Sequence, residues 1–422
     1  MKAVIIAAGK AERLRPLTST RPKQLIPIGG RPQLEWLING VADAGVKDIL
    51  IVTHYMEEKI KNGFGDGSDL GVRLSYARQE EMMGTADAFR YAKDFVAGED
   101  FIGMNGDLFL SPGILGEVVK EHEEGELTVT GLERDPYLYG ALNLQGDKVL
   151  GIVEKPAPGT APSNVTNAGI YVFPPGIFDA IKATKLSPRG EYEVTDSVNN
   201  LIASGVSARV HMLDEGDWLD IGHPWHVLEA NTRALSRLES NIEGTVEEGA
   251  HIQGSVYIAP TARIRSGVYI EGPVYIGPDC DVGPNNYIRA GTTLVGGNRV
   301  GASCEVKNTI LMEKAAIPHL SYVGDSIIGE RCNLGAGTIT ANLRFDHKNV
   351  KMTVKDQRVD TGHRKLGIIM GDDCQTGVNV SLHPGVKVGA GAWIAPGVTV
   401  NKDVPEGILL TPEGPREKPR TN

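Results

Sequence analysis

No apolar run in the 422 residues reaches the ~18 that a membrane-spanning helix needs. The N-terminal stretch also lacks the basic leader and small-residue cleavage site of a signal peptide, so a cytoplasmic protein without membrane contact is expected. Basic residues are outnumbered, 43 against 53 acidic, which argues against a general nucleic-acid or membrane surface. Cysteine is scarce: Cys280, Cys304, Cys332 and Cys374 lack the CxxC spacing of a zinc site and are expected to be packing residues, with no disulfide and no bound metal. The loop after the first strand-like run is neither a Walker A sequence nor a G-x-G-x-x-G fingerprint. What remains is a chain long enough for two domains or more.

The positive signal is a period. From Val246 to Val306 aliphatic residues recur every six positions: Val246, Ile252, Ile258, Ile264, Ile270, Ile276, Val282, Ile288, Leu294, Val300 and Val306. Neither a helix at 3.6 nor a lone strand at 2 gives that spacing, so it predicts a parallel β-helix of hexapeptide repeats. Three hexads make one coil, which places residues 18 apart above one another at the strand spacing of roughly 4.8 Å. The register slips near Ile310 to Ile317, breaks for a polar excursion over about 342–365, and returns at Ile368. Tyr257, Tyr269, Tyr275 and Tyr287 give the prism apolar area to cover, which points to self-association.

The first half alternates instead. Residues 2–8 read as a buried strand running into Gly9, residues 32–44 as a helix, and further strands are expected near 49–53, 72–76, 101–104 and 127–131, with a helical segment over 85–96. Such alternation predicts an α/β doubly wound, Rossmann-like sheet with ligands at the C-terminal strand ends. The loop GKAERLRPLTSTRPKQL carries Arg13, Arg15, Arg21 and Lys23 where backbone N–H groups already favour an anion. Residues 225–238 have helical spacing and are expected to connect to the repeats.

The run AAGKAERLRPLTSTRPKQLIPIGGRP resembles the signature of sugar-1-phosphate nucleotidylyltransferases, with one departure: Ala11 stands where that family usually has a second glycine. Gln79 with Gly84-Thr85-Ala86 resembles the family's pyrimidine reader. Asp107, after Asn105-Gly106, and Asp220 in WLDIG resemble a pair of metal-binding aspartates, and two carboxylates suit Mg²⁺. Glu154-Lys155-Pro156, Gly140 and Asn167-Ala168-Gly169 resemble sugar and sugar-phosphate contacts. The resemblance implies attack of a sugar-phosphate oxygen on the nucleotide α-phosphorus, with Arg13 and Lys23 serving pyrophosphate and Lys155 the sugar phosphate.

In the repeats, Arg289 and Lys307 stand one coil apart, and as unpaired like charges they are expected to hold a phosphate. The string from His319 and Tyr322 through CNLGAGTITAN resembles the acetyltransferase half of bifunctional sugar-1-phosphate nucleotidylyltransferase/amino-sugar-phosphate acetyltransferases, and over almost the full chain the archaeal ones. The resemblance implies His319 as general base on the amine, Tyr322 and Asn333 beside the sugar, and Asn342 placing base and acetyl group. It further implies Ala336 on the acetyl-CoA co-substrate, Lys348 with Lys351 as a second candidate, a left-handed coil and a homotrimer. The serine of bacterial relatives that contacts acetyl-CoA is replaced by Val378. The expected organisation is a nucleotidyltransferase domain over 1–223, a connecting helix over 224–240 and a β-helix acetyltransferase domain over 241–422. Glucosamine and galactosamine, UTP and dTTP, and glucose 1-phosphate all stay open as substrates. Two alternatives stand beside this reading: repeats that only trimerise or regulate, and a non-catalytic subunit resembling certain translation initiation factors.

Overall fold

The computed structural model describes residues 1–419. The chain packs as two compact units: Met1–Lys10 with Gln33–Asp220, and Ala11–Pro32 with the chain from Ile221 onward. The loop 11–32 therefore packs with the repeats, although in sequence it belongs to the first half.

The first unit is built on a nine-stranded sheet. Its order is Arg73–Arg78, Asp48–Thr53, Lys2–Ala7, Phe101–Asn105, Val165–Phe173, Leu127–Glu133, Ala208–Met212, Lys148–Glu154 and Gly140–Gln145. The first four strands are parallel, as the alternation predicts. Val165–Phe173 then runs antiparallel to both its neighbours, so the far half is a mixed sheet. Ala3, Val4 and Ile5 in the second to fourth positions of the first strand are all fully buried, as a strand covered on both faces requires. The helix Gln33–Asp43 turns Leu34, Leu37, Ile38 and Val41 inward at helical spacing. The helix expected over 85–96 forms as two, Thr85–Arg90 and Lys93–Val96. Strand order reverses between Lys2–Ala7 and Phe101–Asn105, and a crevice at such a switch point is where open α/β sheets bind ligands.

In the second unit the helix Pro224–Leu235, opened by a proline at its first position, leads to the repeats. Successive short strands fall on three faces in turn, giving sheets of eight, ten and eight strands that are parallel except for the closing antiparallel pair Ile408–Thr411 with Gly414–Glu417. The early coils are 18 residues long: Tyr257 pairs with Tyr275 and Tyr275 with Thr293. The expected slip is a shortened coil, because Thr293 pairs with Ile310 and Ile310 with Ile327, 17 residues on. The excursion then lengthens one coil to 42 residues, Ile327 pairing with Ile369, before the 18-residue step returns at Lys387. Within the excursion Lys351–Val354 and Gln357–Asp360 form a hairpin whose Met352 is buried, as is Val350 just before it. The six-spaced aliphatics from Ile258 onward are fully buried along the prism, while Val246 in the first coil is 37% exposed. All four cysteines are free and buried, and burial pushes the Cys280 thiol up to about 12. They pack; they are not reactive thiols.

Candidate active sites

In the first unit the C-terminal ends of the parallel strands gather the expected residues. Gly9 follows Lys2–Ala7 and Asp107 follows its neighbour Phe101–Asn105, with Ile6 opposite Asn105. Gly106 is required there, since a Cβ would stand 2.4 Å from the Ile6 carbonyl oxygen. Two three-residue strands then complete the carboxylate pair: Trp218–Asp220 runs antiparallel to Leu108–Leu110 and sets Asp220 opposite Leu108, the residue after Asp107. Both aspartates are half-buried. Among the described residues no group of three or more His, Cys, Asp or Glu could hold a metal, so a cation here would take further oxygens from substrate.

Gln79, at the end of Arg73–Arg78, is 2% exposed. Its amide nitrogen donates to the Gly84 carbonyl at 3.1 Å and to Asp87 at 2.8 Å, and Arg90 fixes Asp87 in turn. With both N–H groups spent, the amide oxygen is the group left to read a ligand. Gly84 has φ 109°, and a Cβ there would meet the Tyr192 carbonyl oxygen at 2.5 Å. Thr85 is tied differently: its hydroxyl accepts from the Val194 N–H at 3.0 Å, as part of the helix packing.

The sugar-side residues also converge. Glu154 pairs across the sheet with Gly140, and a Cβ on Gly140 would lie 3.2 Å from a Glu154 oxygen and 3.5 Å from Asn167 Cβ. Asn167 donates to the Tyr171 hydroxyl at 2.6 Å, and burial pushes that phenol up. Lys155 is exposed and sits at φ 44°, a strained position for a side-chain-bearing residue. Arg189, which the sequence reading passed over, bridges Glu154 at 3.1 Å and Glu193 at 2.7 Å.

Of the loop cations, Arg13 and Arg15 are exposed, Lys23 is half-buried and Arg21 is buried. The expectation that Arg21 serves an anion is corrected: its guanidinium is taken by Asp372 at 2.5 Å and Glu330 at 2.8 Å. His223, three residues past Asp220, is a further residue the sequence reading missed. It stacks on Trp225 at 4.5 Å. Burial, then the neighbouring His226 and Arg13 charges, holds its imidazole down to about 4, so it is neutral at pH 7.

On the repeats one corner of the prism collects a polar cluster around Asp325, a residue no motif had singled out. Asp325 is 4% exposed. It accepts from Asn308 at 2.8 Å, from Lys307 at 3.4 Å and from the Asn342 amide, which also donates to the Tyr322 hydroxyl at 3.0 Å. Burial, followed by the Asp325 charge, raises the Tyr322 phenol. Arg289 and Lys307 do lie one coil apart, Ile288 pairing with Val306. They are not unpaired, however: Arg289 meets Glu305 at 3.0 Å and Lys307 meets Asp325, so charge repulsion between them does not by itself demand a phosphate. His319 is exposed and ends the strand Ala316–His319 on the second face, whereas Tyr322 begins a strand of the third. Asn333 is exposed on the second face, and Ala336 lies between the second-face strand Asn333–Leu334 and the third-face strand Ile339–Thr340. Lys348 and Lys351 are exposed on the excursion, beside Asp346 held by Arg344. One chain thus brings together Lys307, Tyr322 and Asn342 around Asp325, while Asn333 stands on the second face.

Comparisons with known proteins match both halves of the chain. The nucleotidyl transferase family matches residues 2–237, and the GMPPB C-terminal domain matches 270–377. The chain is 43% identical to the bifunctional protein GlmU of Methanocaldococcus jannaschii, over 97% of each chain. It is 42% identical to a bifunctional sugar-1-phosphate nucleotidylyltransferase/acetyltransferase of Sulfurisphaera tokodaii, over 96% of this chain and 99% of that one. A crystal structure of a putative glucose-1-phosphate thymidylyltransferase from Bacillus anthracis superposes at TM-score 0.50 with 30% identity, covering 56% of this chain and 95% of its own. On these grounds the chain belongs to the nucleotidyl transferase family, among the bifunctional sugar-1-phosphate nucleotidylyltransferase/acetyltransferases.

Proposed function

We propose that the protein acetylates an amino-sugar 1-phosphate from acetyl-CoA and joins a sugar 1-phosphate to the nucleotidyl group of UTP or dTTP, releasing pyrophosphate. The observation that carries the nucleotidyl half is the strand pairing that sets Asp220 opposite Leu108, the residue after Asp107, at the switch point of the sheet. Those two carboxylates would hold Mg²⁺, which when bound neutralises phosphate charge. The free amide oxygen of Gln79 suits the N3–H that uracil and thymine share and cytosine lacks. Glu154, Gly140 and Asn167 orient the sugar, Lys155 its phosphate, and Arg13 and Lys23 the leaving pyrophosphate. No covalent nucleophile is needed, because positioning and charge neutralisation suffice for this transfer.

On the repeats, Arg289 and Lys307 bind the amino-sugar phosphate. The Arg289–Glu305 pair is partly exposed and thus weak, so a dianion can displace it. His319 takes a proton from the amine as the amine attacks the acetyl-CoA thioester carbonyl; the C–N bond forms, the C–S bond breaks, and coenzyme A leaves as its thiol. Tyr322, Asn342 and Asn333 place the sugar and acetyl group, and Ala336 lies against the coenzyme. Because Asn333 and Tyr322 lie on different faces of one chain, the reading favours sites completed by a neighbouring copy, in a homotrimer of left-handed prisms, with Lys348 or Lys351 supplied from the excursion. The functional domains would run over 1–223 and 241–422, and the protein would work in the cytoplasm. Incubation with a panel of sugar 1-phosphates, acetyl-CoA and each nucleotide, with products identified by mass, tests this. Both an N-acetylated sugar phosphate and a nucleotide sugar are expected; the absence of either removes that half of the proposal.

A further inference from the structure

The connection 11–32 is far longer than the roughly 2–6 residues usual between a strand and the next helix; it carries short turns at Glu12–Leu14 and Lys23–Leu25 and a ladder of Pro27–Ile28 with Arg31–Pro32. Here it is fastened to the repeats at two places. At the first, Arg21, with its side chain 7% exposed, is clamped by Asp372 at 2.5 Å and Glu330 at 2.8 Å. Thr20 donates to the same Asp372 oxygen at 2.6 Å, the other Asp372 oxygen accepts the Glu330 backbone N–H at 2.8 Å, and the Ser19 hydroxyl meets Glu406. Asp372 is 3% exposed, so its carboxylate is spent wholly on this clamp.

At the second, the fully buried Asn231 accepts from the Gly29 N–H and from the Thr293 hydroxyl, both at 2.8 Å, and donates to the Gly291 carbonyl at 2.9 Å. Gly30 lies so close over Tyr275 that a Cβ would stand 2.3 Å from the ring. Lys23 opens the short helical turn Lys23–Leu25 between these anchors. Tyr275, one of the tyrosines expected to leave apolar area on the prism, is thus covered in part by the chain's own loop.

We infer that Asp372, with Glu330 and Asn231, is a positioning residue for nucleotidyl transfer: the repeats hold the loop that presents Arg13 and Lys23. The inference rests on the nucleotidyl-transfer reading above. Its chemistry is one of placement, since a shift of about 1 Å in a charge-bearing loop can cost on the order of 100-fold in rate.

The test uses the full chain and the variants Asp372→Asn, Asp372→Glu and the exchange Arg21→Asp with Asp372→Arg. For each, kcat and KM of nucleotide-sugar formation, the rate of acetyl transfer, and hydrogen exchange of the amides of residues 13–26 are measured. Asp372→Asn is expected to lower nucleotidyl kcat/KM by about 10- to 100-fold and speed exchange in the loop, with acetyl transfer within about twofold of the parent. Asp372→Glu and the charge exchange should each recover part of the loss. Equal nucleotidyl rates in parent and Asp372→Asn, or an equal fall of both activities, would overturn the positioning role alone. A parent chain that forms no nucleotide sugar would instead overturn the function reading itself.

Discussion

Asn342 donates through one amide nitrogen to both the Asp325 carboxylate and the Tyr322 hydroxyl, joining the last regular coil before the excursion to the polar corner of the prism. The excursion begins at once after it, and its return is pinned to the same corner, by Leu366 N–H on the Asn342 carbonyl at 3.0 Å and Gly367 N–H on the Asp325 carbonyl at 2.8 Å. Asp325 is therefore the carboxylate around which this polar corner is organised.

Replacing it tests that dependence. Asp325→Ala leaves Lys307, Asn308 and Asn342 without their buried acceptor, and should cost roughly 3 kcal/mol of stability, read by chemical unfolding. Acetyl transfer should fall steeply in protein that remains folded, while nucleotide-sugar formation changes little. Retained acetyl transfer would place the reaction elsewhere on the prism.

Ala11 stands where the resembled signature usually has a second glycine, and the structure gives that departure a physical meaning. Its φ of 48° and ψ of 48° are left-handed, a conformation in which glycine is unstrained and alanine is not. Ala11→Gly should relieve about 1 kcal/mol of strain in the folded loop, partly offset by the greater freedom of glycine in the unfolded chain. The expected outcome is a stability equal to the parent or up to about 1 kcal/mol higher, with nucleotidyl transfer preserved. A clear loss of stability would show that the methyl group packs.

The proposed sharing of the acetyl-transfer site between copies has its own check. His319→Ala and Lys348→Ala should each be inactive in acetyl transfer, and refolding the two together should recover part of the activity. No recovery in mixed assemblies verified by mass would put both residues in one chain's site.

Much of this was legible in the sequence for one reason: a residue that meets the core once per hexad must be aliphatic each time, so the period survives in the letters. The slip near Ile310 was visible too, because shortening a coil from 18 to 17 residues displaces every later aliphatic. The parallel half of the first sheet was legible through its buried strand runs, as was the strand at 127–131 in the mixed half, but the antiparallel Val165–Phe173 was not, since strand direction leaves no local mark. The Arg21–Asp372 clamp could not be read, because its partners are 351 residues apart and each resembles an ordinary loop residue. Asp325 was hidden in a Gly-Asp-Ser turn, where an aspartate needs no further explanation. Arg289 and Lys307 were noticed as cations, but their carboxylate partners became visible only when the coil was closed.

The two proposed transfer reactions use separate sites, one in the α/β unit and one on the repeats, and Asp107→Ala measured for both activities tests this most directly. Loss of this carboxylate is expected to abolish nucleotide-sugar formation while acetyl transfer from acetyl-CoA stays within about twofold of the parent. A folded Asp107→Ala protein that lost both activities together, or kept nucleotide-sugar formation intact, would contradict the account.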